Sequence, residues 1–135
     1  QVEVDGETIT LFNTHLTSVG APDSDAREDD PQAVQLADAL AVVARYSGDG
    51  PTIFGGDFNT ATTSSRASAD VLNEGIEALG LEDAGAAAGT TSKYGFGSRI
   101  DYLLTTQFDT AAAYRMDAGT SDHAGVVVDL KLSTG

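Results

Sequence analysis

The chain has no cysteine among its 135 residues, only two lysines (Lys93 and Lys131), and no apolar run approaching a membrane span, which takes roughly 18 residues. Without cysteine there is neither a disulfide framework nor a thiolate metal site, so any bound metal must be held by oxygen or imidazole. The compartment stays open, secretion included. Scarce cations leave a formal net charge of -14, which makes non-specific attraction to a polyanion unfavourable. A nucleic-acid substrate would need a local cationic patch, bridging metal ions or a basic neighbouring segment, and the plainer role of the charge is solubility. Also lacking are a Gly-x-x-x-x-Gly-Lys phosphate loop, a His-Glu-x-x-His zinc helix, a Gly-x-Ser-x-Gly nucleophile elbow and a basic, aromatic-rich stretch suited to RNA. No basic-then-apolar leader is visible, yet Gln1 is not an initiator methionine, so an upstream segment is expected to have been removed or left out.

What remains is the composition of one folded domain, 41% hydrophobic. Val2 to Val4 and Thr8 to Phe12 flank Asp5-Gly6 and predict a β-hairpin. Thr17 to Asp30 has loop composition; Asp30-Pro31 is a helix entry, and an apolar stripe of Val34, Leu36, Ala37, Leu40, Ala41, Val43 and Ala44 runs to a stop at Ser47-Gly48. Thr52-Ile53-Phe54 reads as a short buried strand turning at Gly55-Gly56. A second helix is expected from near Ser68 to Leu79, with Val71, Leu72, Ile76 and Leu79 inward and Gly80 as its stop. Ala84 to Gly97 reads as a long loop of the kind that borders active sites, and Arg99 to Thr105, Thr110 to Met116 and Gly125 to Leu132 as three closing strands. This order suggests an α/β fold, one mixed β-sheet with helices on one face and a second apolar face that nothing in the chain covers. The continuous runs Leu103-Leu104 and Val126-Val127-Val128 suit strands buried on both faces.

Chemistry-bearing residues gather at the strand ends. Asp57 and Asn59 are two apart, so an extended backbone would project both to one side while Phe58 points into the core. Carboxylate beside carboxamide can orient a water or hold a hard cation, although Asp-Phe-Asn also suits a turn with side-chain-to-backbone hydrogen bonds. Asp122 and His123 are adjacent, so only a turn brings both to one site, and Gly119-Thr120-Ser121 supplies it. Asp101 sits in an apolar strand where an unpaired carboxylate would be costly; its partner is either His123, whose tautomer it would fix, or Arg99 or Arg115 in a structural salt bridge. His15, after Asn13-Thr14, is the other histidine, and a lone histidine is commonly structural.

Four segments, Asn13-Thr14-His15-Leu16, Gly56-Asp57-Phe58-Asn59, Arg99-Ile100-Asp101-Tyr102 and Thr120-Ser121-Asp122-His123, resemble in sequence and order the motifs of the endonuclease/exonuclease/phosphatase superfamily. The resemblance runs from about Leu11 to Leu132 and matches only that family's C-terminal half. It implies half of a four-layer α/β-sandwich. It also implies an N-terminal half carrying an asparagine and a glutamate that complete a Mg²⁺ or Mn²⁺ site, and 135 residues that are inactive or nearly so alone. In such enzymes the counterpart of His123 takes a proton from water, Asp101 pairs with it, Asp57 and Asn59 position water and charge, Asp122 contacts metal, and His15 contacts the scissile phosphate. Asp57 and Asn59 share in metal binding under the same resemblance. The family's substrates span DNA, RNA, inositol phosphates and sphingomyelin; the acidic surface favours a phosphodiester substrate bound through metal, or a small phosphoester. A function of a different class also fits: an interaction module that keeps the fold without catalysis and binds a partner through its open sheet face.

Overall fold

The computed structural model of the protein describes residues 1–18, 30–92 and 98–133. Strand β1 (Val2–Val4) turns at Asp5 and Gly6, φ 53° and 88°, into β2 (Glu7–His15), the tight hairpin expected from that dipeptide. Most of the Thr17 to Asp30 loop, residues 19–29, lies outside the described residues, as do 93–97 of the second long loop, Lys93 among them.

Helix α1 (Pro31–Tyr46) starts because Asp30 accepts the N–H groups of Gln32 and Ala33 while Pro31 occupies the first turn. It buries Ala33, Leu36, Leu40 and Val43, a narrower stripe than the sequence suggested. Val34 is 45% exposed and Ala37, Ala41 and Ala44 face outward, because only one side of the helix meets the sheet. Helix α2 (Ala67–Ala78) presents Val71 and Leu72 to the same core, with Ile76 and Leu79 packed at its edge. Gly48 and Gly80 follow the two helices in left-handed conformations, φ 61° and 59°. No helix among the described residues is long and apolar enough to cross a membrane.

The remaining strands are β3 (Thr52–Asp57), β4 (Glu82–Asp83), β5 (Asp101–Thr106), β6 (Phe108–Met116) and β7 (Gly125–Leu132), with a single 3₁₀ turn at Ala86–Ala88. The sheet order is β1-β2-β3-β5-β4, with β2 and β3 parallel and the other pairs antiparallel. Both helices cover one face of this mixed sheet, where Phe54, Tyr102 and Leu104 join the helical core residues.

The chain does not close as one sheet. Among the described residues, β6 and β7 pair only with each other. Gln107, the single residue between β5 and β6, has φ 61°, which swings the chain out of the five-stranded plane, and a register shift between Thr110 and Ala112 disrupts the ribbon further. The ribbon then stands across the helix-free face: Val126 borders a cleft with Leu11, Ile53 and Leu103, and Leu130 and Leu132 border another with Ile9 and Ile53. The second face is therefore partly covered by the chain itself. Leu11 remains 46% exposed, and Leu103 and Val126 to Val128 are half-buried.

Candidate active site

His15 ends β2, Asp57 ends β3 and Asp101 begins β5, and the ladder pairs His15 with Asp57 and Asp57 with Asp101. Each is three residues from a core position in the row Phe12, Phe54 and Leu104, so alternation turns all three toward the helix-free face. An imidazole and two carboxylates thus form one cross-strand row at the C-terminal ends of the two parallel strands.

Two glycines and one phenylalanine set Asp57. Gly55-Gly56 lets the central strand pass close to its neighbours, and Phe58 is fully buried between Phe54 (ring centroids 4.9 Å) and Tyr102 (5.3 Å). Beyond Asp57 the backbone is not extended as the spacing implied. Asn59 is left-handed, φ 49°, and its N–H donates to Asp57 Oδ1 at 2.8 Å. The turn weighed as a rival to a functional site is present, and it is the device that aims both side chains. Asn59 Nδ2 donates to the carbonyl of Leu16 at 2.7 Å, tying this turn to the end of β2.

A second carboxamide reinforces the tie. Gln32, buried in the first turn of α1, donates from Nε2 to the carbonyls of Thr17 (2.9 Å) and Asn59 (2.8 Å), while its Oε1 accepts from Ser68 at 3.0 Å. Nothing in the sequence flags this residue, because polar side chains near a helix start are ordinarily solvated.

His123 comes from the ribbon, two residues before β7. The turn at Ser121 and Asp122, with His123 N–H donating to Ser121 Oγ at 3.1 Å, brings it over the row. Its Nδ1 lies 2.8 Å from Asp101 Oδ2 and 3.1 Å from Oδ1. A carboxylate only accepts, so Nδ1 carries the proton and Nε2 is the free basic atom, 3.8 Å from Asp57 Oδ2. His15 Nε2 is 3.4 Å from that same oxygen, with a largely exposed ring. Partial burial depresses the pKa of His123, but the hydrogen bond it donates to Asp101 and the charges of Asp101, Asp57 and Asp122 outweigh it and hold the imidazole above the ordinary histidine value.

Neither arginine option for Asp101 is realised. Arg99 forms a two-pronged pair with Asp83, its Nη1 3.0 Å from Oδ1, and lies over the Tyr102 ring at 4.4 Å. Arg115 is on β6.

All six residues singled out from the sequence, His15, Asp57, Asn59, Asp101, Asp122 and His123, line one pocket of about 440 Å³ together with Ser18 and Ser121. No lysine or arginine is among the described lining residues. The donor set, three carboxylates and a carboxamide, is the hard oxygen set that suits Mg²⁺ or Mn²⁺. Ligand atoms of Asp57, Asp101 and His123 approach within 4.8 Å of one another. Both oxygens of Asp101 face His123 Nδ1, however, so an ion on Asp101 would break that pair, whereas Asp57 Oδ2 meets His15 and His123 only at 3.4 and 3.8 Å and Asp122 is exposed.

The family profile described as "Endonuclease/Exonuclease/phosphatase family" matches residues 2–123. Among solved structures, an endonuclease/exonuclease/phosphatase from Beutenbergia cavernae superposes with a TM-score of 0.72 at 26% identity, covering 93% of this chain and 36% of its own. A family protein from Leptotrichia buccalis gives 0.64 at 21%, covering 97% and 52%. A mannosyl-6-phosphatase from Bacteroides thetaiotaomicron gives 0.55 at 20%, covering 90% and 51%. The chain thus spans about a third to a half of the length of these proteins. No curated protein matches the sequence. With the profile spanning β1 to β6, both helices and the pocket residues, the chain belongs to the endonuclease/exonuclease/phosphatase family, whose members are nucleases and phosphatases acting on phosphate esters.

Proposed function

We propose that the protein hydrolyses phosphate esters, as a nuclease-like phosphodiesterase or a phosphatase, by in-line attack of a water activated by His123. The observation that carries this reading is the commitment of His123 Nδ1 to Asp101, which leaves Nε2 free in a pocket flanked by His15, Asp57, Asn59 and Asp122. His123 takes the water proton at Nε2; Asp101 keeps the ring in that tautomer and stabilises the imidazolium. Asp57 and Asn59 orient the water, and His15, beside Asp57, reaches the phosphoryl oxygens and the leaving oxygen. Asp122, Asp57 and Asn59 would hold Mg²⁺ or Mn²⁺, which neutralises phosphate charge when bound. Three carboxylates among the described lining residues repel a phosphate, which supports dependence on a cation.

The 135 residues are proposed to form the C-terminal half of the catalytic domain. Exposed Leu11, Val2 and Val4 on the five-stranded sheet and the partial coverage of the similar structures support a preceding half that packs here and completes the metal site. The test compares the complete polypeptide with these residues alone on supercoiled DNA, an inositol phosphate and bis(p-nitrophenyl) phosphate, with Mg²⁺, Mn²⁺ or excess chelator. Expected are chelator-sensitive turnover of at least one substrate by the complete polypeptide and next to none by the half. Equal turnover by both would refute the half-site, and turnover that survives chelation would refute the metal. No turnover on all three, with partner binding intact, would favour the interaction module.

The raised His123 pKa sets the pH profile. A base works unprotonated, so kcat/KM rises with pH along a limb set by His123, which the paired Asp101 holds upward. Asp101→Asn removes the nearest charge and moves that limb down. A limb unmoved by this substitution would assign it to another group.

A further inference from the structure

The two members of the His123–Asp101 pair arrive from different sheets. Asp101 opens β5 of the five-stranded sheet, His123 precedes β7 of the ribbon, and those strands share no ladder. Their 2.8 Å contact therefore depends on whatever fixes the two backbones relative to each other.

Thr91 lies between them. Its hydroxyl oxygen accepts the N–H groups of Ile100 at 3.2 Å and Asp101 at 3.3 Å, and its carbonyl accepts the N–H of Ala124 at 2.8 Å. The next residue, Ser92, forms an isolated antiparallel bridge with His123 itself. One residue thus holds the start of β5 through its side chain and the His123 segment through its backbone. Thr91 is 1% exposed, so water cannot readily replace the hydroxyl, and its loss would strand two backbone donors at the position that aims Asp101.

We propose that Thr91 is a positioning residue that sets the distance and alignment of the His123–Asp101 pair. The kinetic part of this proposal rests on the hydrolase reading; the geometric part does not. Thr91 is not itself among the pocket-lining residues and bonds no proposed cation ligand side chain; it reaches the site through the backbone of Asp101 and of Ala124, next to His123.

The test uses the complete polypeptide with Thr91→Val, which keeps the shape and removes the acceptor, Thr91→Ser, which keeps the acceptor, and Thr91→Cys, which weakens it. On bis(p-nitrophenyl) phosphate with saturating Mg²⁺, Thr91→Val is expected to lower kcat about tenfold with KM within about twofold. Thr91→Ser should return kcat to within about twofold of the parent, with Thr91→Cys between them. Added to Asp101→Asn, Thr91→Val should cost less than about twofold more, because no carboxylate is left to align. Unchanged kcat in Thr91→Val, equal losses in the serine and valine variants, or full additivity with Asp101→Asn would overturn the proposal.

A second readout needs no turnover. The low-field Nδ1–H proton resonance of His123, assigned with His15→Gln as the background, should persist in the parent and Thr91→Ser and vanish or exchange rapidly in Thr91→Val. If the parent turns over no phosphate ester, the hydrolase reading fails while this resonance still decides the role of Thr91. A resonance unaltered in Thr91→Val would sink it; should valine unfold the chain, the serine and cysteine variants carry the same comparison.

Discussion

His123→Ala in the complete polypeptide is expected to lower kcat on a phosphodiester by about 10²- to 10⁴-fold, the range that loss of a positioned general base produces. The substitution removes the basic Nε2 from the pocket and leaves Asp101 without its hydrogen-bond donor. Loss of folding is not the expected cause. The side chain is 27% exposed and the local turn rests on the backbone N–H of His123 with Ser121, which alanine retains. Circular dichroism and a melting curve close to the parent's would establish this. KM should change little, because His123 acts on the water rather than holding the substrate. A variant with near-parental kcat would remove the base from the mechanism. Were partner binding the function, that activity would survive the substitution unchanged.

Much of this architecture was legible in the chain because the deciding interactions are local. Asp5-Gly6 specifies a hairpin, Asp30-Pro31 a helix start, and Gly48 and Gly80 the two helix ends, each through a backbone preference of one or two residues. The strand ends carrying His15, Asp57 and Asp101 could be placed for the same reason. Their alignment as a single row could not, since it is set by the register of three strands whose pairing residues lie more than forty positions apart. The division into a sheet and a ribbon turns on one left-handed residue, Gln107, of a type that ordinarily avoids that conformation. Gln32 and Thr91 were missed on opposite grounds. One is a polar residue at a helix start, where solvent is the usual partner, and the other lies in a Gly-, Ala- and Thr-rich segment with no periodicity to reveal burial. The ion pair of Arg99 with Asp83 was equally hidden, because Asp83 belongs to a strand two residues long, too short for any pattern to form.

Gly56→Ala is expected to be strongly destabilising, costing about 3 kcal/mol or more. Gly56 has φ 142°, a backbone state that side chains with a Cβ rarely adopt, and an added Cβ would stand 1.9 Å from the carbonyl oxygen of Thr14, its ladder partner on β2. That atom is backbone, so no rotamer change relieves the overlap. Either the central strand abandons its conformation or β2 moves away, and both disturb the sheet on which the core is built. For a domain of this size the melting temperature should fall by about 10 °C. Gly55→Ala is the matched control: its Cβ would meet the Tyr102 carbonyl at 3.3 Å and the Leu103 side chain at 3.4 Å, tight but accommodated by small shifts, so its loss should be far smaller. Folded Gly56→Ala protein should also be impaired in turnover, because His15 follows Thr14 directly and is in register with Asp57. Displacing β2 pulls one imidazole off the row while the His123–Asp101 pair, braced from the other side of the sheet, stays in place. A Gly56→Ala variant that melts with the parent would mean that the two strands do not approach each other this closely.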